Sequence, residues 1–312
     1  MVQPTFKQLR YFQALARYGH FGRAAEACAI SQPALSVQIR DLEDMLGAPL
    51  FERGPRQVAL TGFGEDFAAR ARDILRAVDE LGDVARAARD RLVGRLRLGV
   101  IPTVAPYLLP ALLAALDRSH PDMRLNVRET LTARLIDEIH AGDLDAAIVA
   151  LPVSEPGLTE VPLAKEDLVL IRQATAPGPQ IADLSGLSTD DLLLLEEGHC
   201  FRDQALAFCG TGGAARTGFG GSSLATLVQL VGAGLGVTLI PEMAIAVETR
   251  SAPVAVARFP DPAPSRTLGM IWRATTPLAA QLSGVADTIR VAAQDGRGAD
   301  APAHAGAQTD AR

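Results

Sequence analysis

A heptad repeat between residues 63 and 92 constrains the fold of this 312-residue chain more than any other feature. Two apolar rows recur every seven residues, and most positions between them are charged. The rows are Phe67, Ile74, Leu81 and Ala88, and Ala71, Val78, Ala85 and Leu92. This pattern favours a helix that pairs with another helix, although an amphipathic helix packed on its own domain is the alternative. Because thirty helical residues span about 45 Å, we expect a linker and dimerisation helix over residues 61–92.

The residues before this helix have the order of a winged helix-turn-helix domain, which we assign to residues 1–60. Residues 5–18 carry an apolar stripe at helical spacing, and an alanine-rich helix follows over 22–29. Ser31 is a good N-cap for a third helix, which ends at Gly47, a natural C-terminal cap. Residues 50–60 then supply the wing.

The third helix carries the side chains expected to read DNA. In a helix-turn-helix, residues near the N-terminus of the second helix of the motif reach base edges in the major groove. Gln32 can form two hydrogen bonds to adenine, and Ser36 can form a hydrogen bond to more than one base. Pro33 offers the apolar contact that a thymine methyl accepts. We expect Arg40 to hold the DNA backbone and Arg53, beside a Gly-Pro turn, to meet phosphate or the minor groove. Each of these residues alone would be read as a solvated surface residue.

Composition narrows the class of protein further. Acidic residues outnumber basic ones by 36 to 30 in the whole chain, whereas residues 1–62 carry seven basic and five acidic residues. The net positive charge of this N-terminal segment suggests a polyanion partner. Apolar residues make up 48 %, which excludes a mainly disordered chain. No apolar run approaches the roughly 18 residues of a membrane span, and no secretory signal is visible. Three cysteines indicate a reducing compartment, so we expect a cytoplasmic protein.

From residue 93 to 295 the pattern is that of an α/β domain. A helix is predicted over 106–119, and strands alternate with helices along this stretch. The strand candidates are 96–100, 125–129, 146–150, 168–171, 192–196, 237–240 and 268–272. Residues 296–312 have the composition of a disordered tail.

Two cysteines near position 200 form the most informative pair. Cys200 follows a glycine turn and begins a predicted helix, where the N-terminal potential, Arg202 and His199 favour the reactive thiolate. A thiolate oxidised to sulfenic acid can form a disulfide with a second cysteine, and Cys209 is the candidate in this segment. On one continuous helix the two would be about 13.5 Å apart along the axis, so the helix must rearrange before they can bond. The alternative is a pair of inert core cysteines.

The N-terminal motifs resemble those of the LysR-type transcriptional regulators. The matching stretches are Ala24-Ala25, 31–36, Gln38-Ile39, Leu42-Glu43, Leu46-Gly47 and 51–53. The resemblance implies an α+β multidomain protein with a winged helix-turn-helix, a long linker helix and a two-lobed effector domain like the periplasmic binding proteins. The lobes would be built from residues 94–164 with 268–295, and from 165–267.

The same resemblance implies how the chain meets DNA. Gln32, Pro33, Ser36 and Arg53 would face the double helix, and a homodimer formed through the linker helix would assemble into a homotetramer over two half-sites. Val37 departs from the family, because many members carry a basic residue there.

Two further stretches are similar to the LysR-type subfamily that senses hydrogen peroxide, namely 99–110 and 198–205 with Phe208 and Cys209. The similarity implies that Cys200 is the peroxidatic thiol and Cys209 the resolving one. It also implies a peroxide pocket formed by Thr103, Thr132, His199, Arg202 and Asp203, although Thr130 competes with Thr132 for its place. The glycine-rich stretch 210–215 and Gly220-Gly221 depart from the subfamily pattern.

These observations predict a transcriptional regulator that hydrogen peroxide activates through Cys200 and Cys209, to control oxidative-stress genes. Its partners would be double-stranded DNA, hydrogen peroxide and RNA polymerase, with no membrane, no cofactor and no metal. One alternative is a LysR-type regulator that binds a small organic effector between its lobes. The other is a thiol peroxidase, and the DNA-binding pattern of residues 1–60 favours a protein that is not an enzyme.

Overall fold

The computed structural model describes five stretches of the chain: residues 3–53, 58–88, 94–175, 192–208 and 220–298. For Arg53 and for residues 294–298 it gives the backbone alone. The chain divides into two units, Met1–Ala85 and Arg86–Arg312. None of the helices in the described stretches is long and apolar enough to cross a membrane. The same stretches contain no group of three or more His, Cys, Asp or Glu residues suited to a metal ion.

The first unit begins with three helices whose ends follow from local sequence signals. They are α1 (Phe6–Tyr18), α2 (Phe21–Ala27) and α3 (Gln32–Leu46). The Ser31 side chain caps α3 by accepting a hydrogen bond from the backbone N–H of Ala34. Gly47 ends the helix at a φ of 69°, a left-handed conformation that glycine adopts without strain. The predicted bounds of the third helix are therefore confirmed.

A hairpin and a long helix complete this unit. The strands β1 (Phe51–Arg53) and β2 (Val58–Leu60) pair antiparallel and are placed as the wing, while the tip between them lies outside the described residues. The core beneath is made of fully buried side chains of α1 and α3, including Phe12, Leu35 and Leu42. The helix α4 (Gly62–Ala87) follows the wing.

The long helix is shorter than predicted, and its apolar rows divide. Phe67 and Ala71 pack into the core of the first unit, as the alternative of a helix packed on its own domain predicts. Ile74 and Leu81 remain 47 % and 70 % exposed in the single chain, as expected of a surface that pairs with another helix. The helix ends at Ala87, whose carbonyl accepts a hydrogen bond from Gln281 Nε2 at 2.9 Å. A side chain thus satisfies a carbonyl that a further helical turn would have used. Leu92, the last predicted position of the rows, lies outside the described residues.

The second unit is built on a seven-stranded mixed sheet. In spatial order, β10, β6, β11, β5, β3 and β4 lie side by side, and β9 also pairs with β6. The strands are β3 (Gly94–Val100), β4 (Met123–Glu129), β5 (Ala146–Leu151), β6 (Leu158–Gln173), β9 (Thr238–Pro241), β10 (Val254–Arg258) and β11 (Ser265–Arg273). A separate parallel pair is formed by β7 (Leu194–Leu195) and β8 (Gly220–Gly221).

Helices cover this sheet and divide the unit into two lobes. They are α5 (Ala105–Ser119), α6 (Thr132–Ala141), α7 (Cys200–Phe208), α8 (Leu224–Gly232), α9 (Ile245–Glu248) and α10 (Ala279–Gly298), with a short 3-10 helix at Glu242–Ala244. One hydrophobic cluster, the first lobe, draws on residues 96–163 and 268–289. The other, the second lobe, draws on residues 168–257. The two-lobed architecture predicted from the resemblance is therefore confirmed.

The chain crosses between the lobes twice, and the long strand β6 is the first crossing. Its N-terminal half pairs with β11, and its C-terminal half pairs with β9 and β10. The sequence predicts only residues 168–171 as a strand, whereas β6 begins ten residues earlier because its N-terminal half pairs with β11. The chain returns to the first lobe between β10 and β11.

Candidate functional site

A small pocket lies where the two lobes meet. The first lobe contributes Ile101, Pro102, Thr103, Leu131 and Thr132, and the second contributes Gly198, His199, Cys200 and Phe201. The pocket is small, because the volume open to the centre of a water-sized sphere is only about 10 Å³. That is roughly the room that one ordered water requires, so the pocket suits a ligand of very few atoms.

The backbone before α7 delivers Cys200 to the pocket. Gly198 has a φ of 93°, and a Cβ on it would lie 3.1 Å from Leu131 Cδ1, so this turn requires glycine. Cys200 is the first residue of α7, is half-buried and is a free thiol. Its carbon atoms pack against the first lobe although the residue belongs to the second. A thiol in the first turn of a helix lies in the positive potential of the unpaired backbone N–H groups.

Thr103 faces Cys200 from the other lobe with a fixed hydroxyl orientation. The residue is buried, and its Oγ1 accepts a hydrogen bond from Arg266 Nη1 at 2.9 Å. Its backbone carbonyl accepts from Nη2 of the same guanidinium at 3.0 Å. Because a guanidinium can only donate, Thr103 Oγ1 must accept there, and its own hydroxyl proton is available to donate elsewhere. A ligand in the pocket is thus offered a donor.

Arg266 is held by a buried carboxylate on the neighbouring strand. Glu166 lies directly opposite it across the β6–β11 pair, and the two side chains are almost fully buried. Glu166 Oε2 accepts from Arg266 Nε at 2.8 Å, and Glu166 Oε1 accepts from the backbone N–H of Met243 at 3.1 Å. The guanidinium also lies 5.4 Å from the centre of the Phe201 ring, at cation–π distance. Arg266 therefore links Thr103 to the residue that follows Cys200.

Two buried polar atoms near the thiol have no hydrogen-bond partner among the described residues. They are Thr132 Oγ1, which lines the pocket, and Gln204 Oε1, one turn beyond Cys200 on α7. A buried polar atom without a partner costs about 1–3 kcal/mol, so native structures rarely leave one without a reason. A small polar ligand in the pocket would supply the partner for Thr132.

The remaining residues predicted for the pocket fall into two groups. His199 lines it, and burial lowers the pKa of its imidazole against the opposing effect of Glu196, so the ring is a neutral donor or acceptor rather than a cation. Arg202 is half-buried outside the lining and donates to the carbonyl of Leu195 at 3.0 Å. Asp203 is exposed on α7. Cys209 lies outside the described residues.

The residues predicted to read DNA share one face of α3. Gln32, Pro33 and Arg40 are exposed and Ser36 is half-buried, while the opposite face of the helix is buried in the core. Val37 lies on the same outer face and is 49 % exposed. Arg53 ends β1, where only its backbone is described.

The Arg266–Glu166 pair is the main support of the pocket, and no sequence motif indicates it. Arg266 is 163 residues from Thr103 and 100 from Glu166 along the chain, so no local spacing indicates the contact. The signal that the two strands offer is the presence of charged residues among apolar ones, which is not specific to any function.

Two family models match this chain. The model for the bacterial regulatory helix-turn-helix protein, lysR family, matches residues 6–65, and that for the LysR substrate binding domain matches residues 89–294. A probable hydrogen peroxide-inducible genes activator of Streptomyces viridosporus is 44 % identical over 299 residues, 94 % of this chain and 96 % of that protein. The DNA-binding transcriptional dual regulator OxyR of Escherichia coli K12 is 39 % identical over 92 % of this chain and 95 % of its own length. This chain belongs to the LysR family, in its OxyR group.

Solved OxyR structures share the fold over nearly the whole chain. A full-length OxyR variant from Pseudomonas aeruginosa superposes with a TM-score of 0.74 at 38 % identity and covers 93 % of this chain and 96 % of that one. A hydrogen-peroxide-bound OxyR mutant from Corynebacterium glutamicum superposes with a TM-score of 0.64 at 37 % identity. The match covers 95 % of this chain and 94 % of that one. The LysR resemblance seen in the sequence motifs is therefore confirmed.

Proposed function

We propose that this chain is a DNA-binding transcriptional regulator that hydrogen peroxide activates by oxidising Cys200, which then forms a disulfide with Cys209. The observation that carries the proposal is the pocket itself. It holds a thiol at a helix N-terminus, a threonine with an available donor and a buried threonine oxygen without a described partner, in a space that suits a molecule of a few atoms. The names of the OxyR relatives point to the same oxidant.

The pocket residues would divide the chemistry between them. The Cys200 thiolate attacks one peroxide oxygen, an S–O bond forms, the O–O bond breaks, and the departing hydroxide takes up a proton to leave as water. Thr103 is oriented to donate to the reacting oxygens, and Thr132 gains the partner that it lacks. The imidazole of His199 is neutral because burial lowers its pKa, so it can donate or accept a hydrogen bond at the pocket wall. It does this without placing a second charge beside the thiolate.

The resolving step completes the two-electron oxidation. The Cys209 sulfur attacks the sulfenic acid of Cys200, so that an S–S bond forms and the hydroxyl leaves as a second water. The sum is two thiols and one peroxide giving one disulfide and two waters. The new bond would reshape the second lobe and thereby the DNA contacts of the regulator.

The same proposal covers the partners and the setting. Gln32, Pro33, Ser36, Arg40 and Arg53 would contact double-stranded DNA. The apolar side chains of α4 that remain exposed, among them Ile74 and Leu81, would join copies of the chain into a homodimer and then a homotetramer. The regulator would act in the cytoplasm on RNA polymerase, without cofactor or metal.

Two other functions make different predictions. An organic effector needs a larger cavity than this pocket, in which only about 10 Å³ is open to the centre of a water-sized sphere. A thiol peroxidase would turn over continuously with a thiol reductant, whereas a sensor consumes one equivalent of peroxide and stops. Because residues 6–65 match a regulatory helix-turn-helix, we propose a sensor and not an enzyme.

Disulfide mapping after one equivalent of hydrogen peroxide tests the proposal. Peptide mass spectrometry should show the Cys200–Cys209 bond, with a change in the footprint on the protein's own promoter. Cys200→Ser should abolish both. Cys28→Ser is the matched control, because Cys28 is a partly buried cysteine of the first unit whose thiol pKa is raised by burial, and it should leave both results intact. Peroxide consumption that continues for many turnovers with thioredoxin would instead favour the peroxidase.

A further inference from the structure

A hydrogen bond connects the two lobes a short distance from the pocket. Tyr107 belongs to α5 of the first lobe, four residues after Thr103, and its ring packs against the hydrophobic cluster of the second lobe. Its hydroxyl donates to Glu248 Oε1 at 2.7 Å, and Glu248 is the last residue of α9 in the second lobe. The bond joins residues 141 positions apart in the chain.

The chemistry of this pair favours a lasting bond. Burial, followed by the hydrogen bond to Glu248, raises the pKa of the Tyr107 phenol far above its ordinary value, so the hydroxyl keeps its proton and remains a donor. A carboxylate acceptor makes the bond stronger than one between neutral groups. The charges of Arg266 and Glu166 also act on the pKa of Tyr107, in opposite directions.

The segment that carries Thr103 is thus fastened at two points. Arg266 holds Thr103 from the strand on which the chain returns to the first lobe. Glu248 holds Tyr107 from the second lobe, the lobe that carries Cys200. The first contact orients the threonine hydroxyl, and the second fixes the distance between that segment and the thiol-bearing lobe.

We infer that Tyr107 and Glu248 are positioning residues that hold Thr103 in reacting geometry with the thiol of Cys200. The inference rests on the proposed oxidation of Cys200 by hydrogen peroxide. Neither residue lines the pocket. Without their bond the lobes separate slightly, and the hydroxyl of Thr103 no longer meets the peroxide oxygen in the transition state.

Two rates measured on the full-length protein test this role. The first is the rate of Cys200 oxidation by hydrogen peroxide, followed by thiol loss with the site assigned by mass spectrometry. The second is the rate of Cys200 alkylation by iodoacetamide, which needs the thiolate but no donor from Thr103. Tyr107→Phe should slow oxidation about tenfold, a loss that a misplacement of less than about 1 Å produces, and leave alkylation and its pH profile unchanged.

A double-mutant cycle separates the bond from other effects of each side chain. Glu248→Ala should slow oxidation to a similar extent, and the Tyr107→Phe/Glu248→Ala double variant should be no slower than the slower single variant. Glu248→Ala also provides the test if Tyr107→Phe does not fold. Tyr18→Phe, which removes a hydroxyl from the first unit, is the control and should react at the unaltered rate.

Three outcomes overturn the inference, and the third also overturns the proposed function. Oxidation of Tyr107→Phe at the unaltered rate removes the positioning role. Equal changes in oxidation and alkylation show that the bond supports the lobe structure without placing Thr103. If the unaltered protein itself does not oxidise at Cys200, the proposed function fails, and the positioning role fails with it.

Discussion

The helix that carries the DNA-reading residues, α3, and the helix that carries the thiol, α7, differ in what holds them in place. The first has fifteen residues, a serine cap, a left-handed glycine at its end and three buried side chains in its own unit. The second is described over nine residues, Cys200–Phe208, of which Phe201 and Ala205 are buried, and it begins beside a pocket with a polar atom that lacks a described partner.

This difference suits the two roles that we propose. A helix with its own caps and core presents Gln32, Pro33 and Ser36 in one fixed arrangement, as base recognition requires. The described part of α7 places two buried side chains in the second lobe and is held by tertiary contacts such as that of Arg266 over Phe201. Oxidation of Cys200 therefore needs to break only a few contacts in order to rearrange α7.

The largest effect should come from the core beneath α3. Leu42 is fully buried, and Leu42→Ala should lower the free energy of unfolding of the first unit by about 2–5 kcal/mol through lost burial and the cavity left behind. DNA binding should fall with it in a band-shift assay, while the rate of Cys200 oxidation stays the same. An oxidation rate that falls in parallel would show that the two helices do not differ as argued.

Two threonines that line the pocket from the first lobe should separate stability from chemistry. Thr103→Val leaves a buried donor of Arg266 without its acceptor, so the second unit should lose about 1–3 kcal/mol in urea unfolding. Thr132→Val removes an oxygen without a described partner, so stability should be unchanged or higher. Both variants should oxidise more slowly, because each loses a hydroxyl that faces peroxide. A large loss of stability in Thr132→Val would mean that its oxygen has a structural partner.

The cap of α3 should have a smaller effect, confined to the first unit. Ser31→Ala removes the acceptor for the Ala34 N–H and should cost about 0.5–2 kcal/mol, with weaker promoter binding. Ser31→Gly is the matched control, because glycine at a cap position costs only about a few tenths of a kcal/mol. Equal binding by the alanine variant and the unaltered protein would show that the wing and core alone hold the reading face.

The smallest effect should be a pH dependence that comes from His199. Burial lowers the pKa of this imidazole in the folded state, so below the unfolded value of about 6.5 the unfolded chain takes up the proton first. The second unit should therefore lose stability as the pH falls from about 6.5 through the lower, folded pKa, and should be unaffected by His199 above that window. His199→Asn should flatten this part of a stability–pH curve, and an identical curve would contradict the assignment.

The sequence predicted the elements whose signals are local. The cap and end of α3, the apolar rows of α4 and the thiol at the start of α7 each follow from a few neighbouring residues. The length of β6 and the Arg266–Glu166–Thr103 network did not follow, because burial of those charges depends on pairing between strands 100 residues apart. The Tyr107–Glu248 bond is hidden for the same reason.

Chemical trapping of the first oxidation product tests the central claim most directly. Full-length Cys209→Ser, treated with less than one equivalent of hydrogen peroxide in the presence of dimedone, should carry the sulfenic-acid adduct on Cys200, with Cys28 unmodified. An adduct on Cys28 at a comparable level, or no adduct on Cys200, would contradict the account.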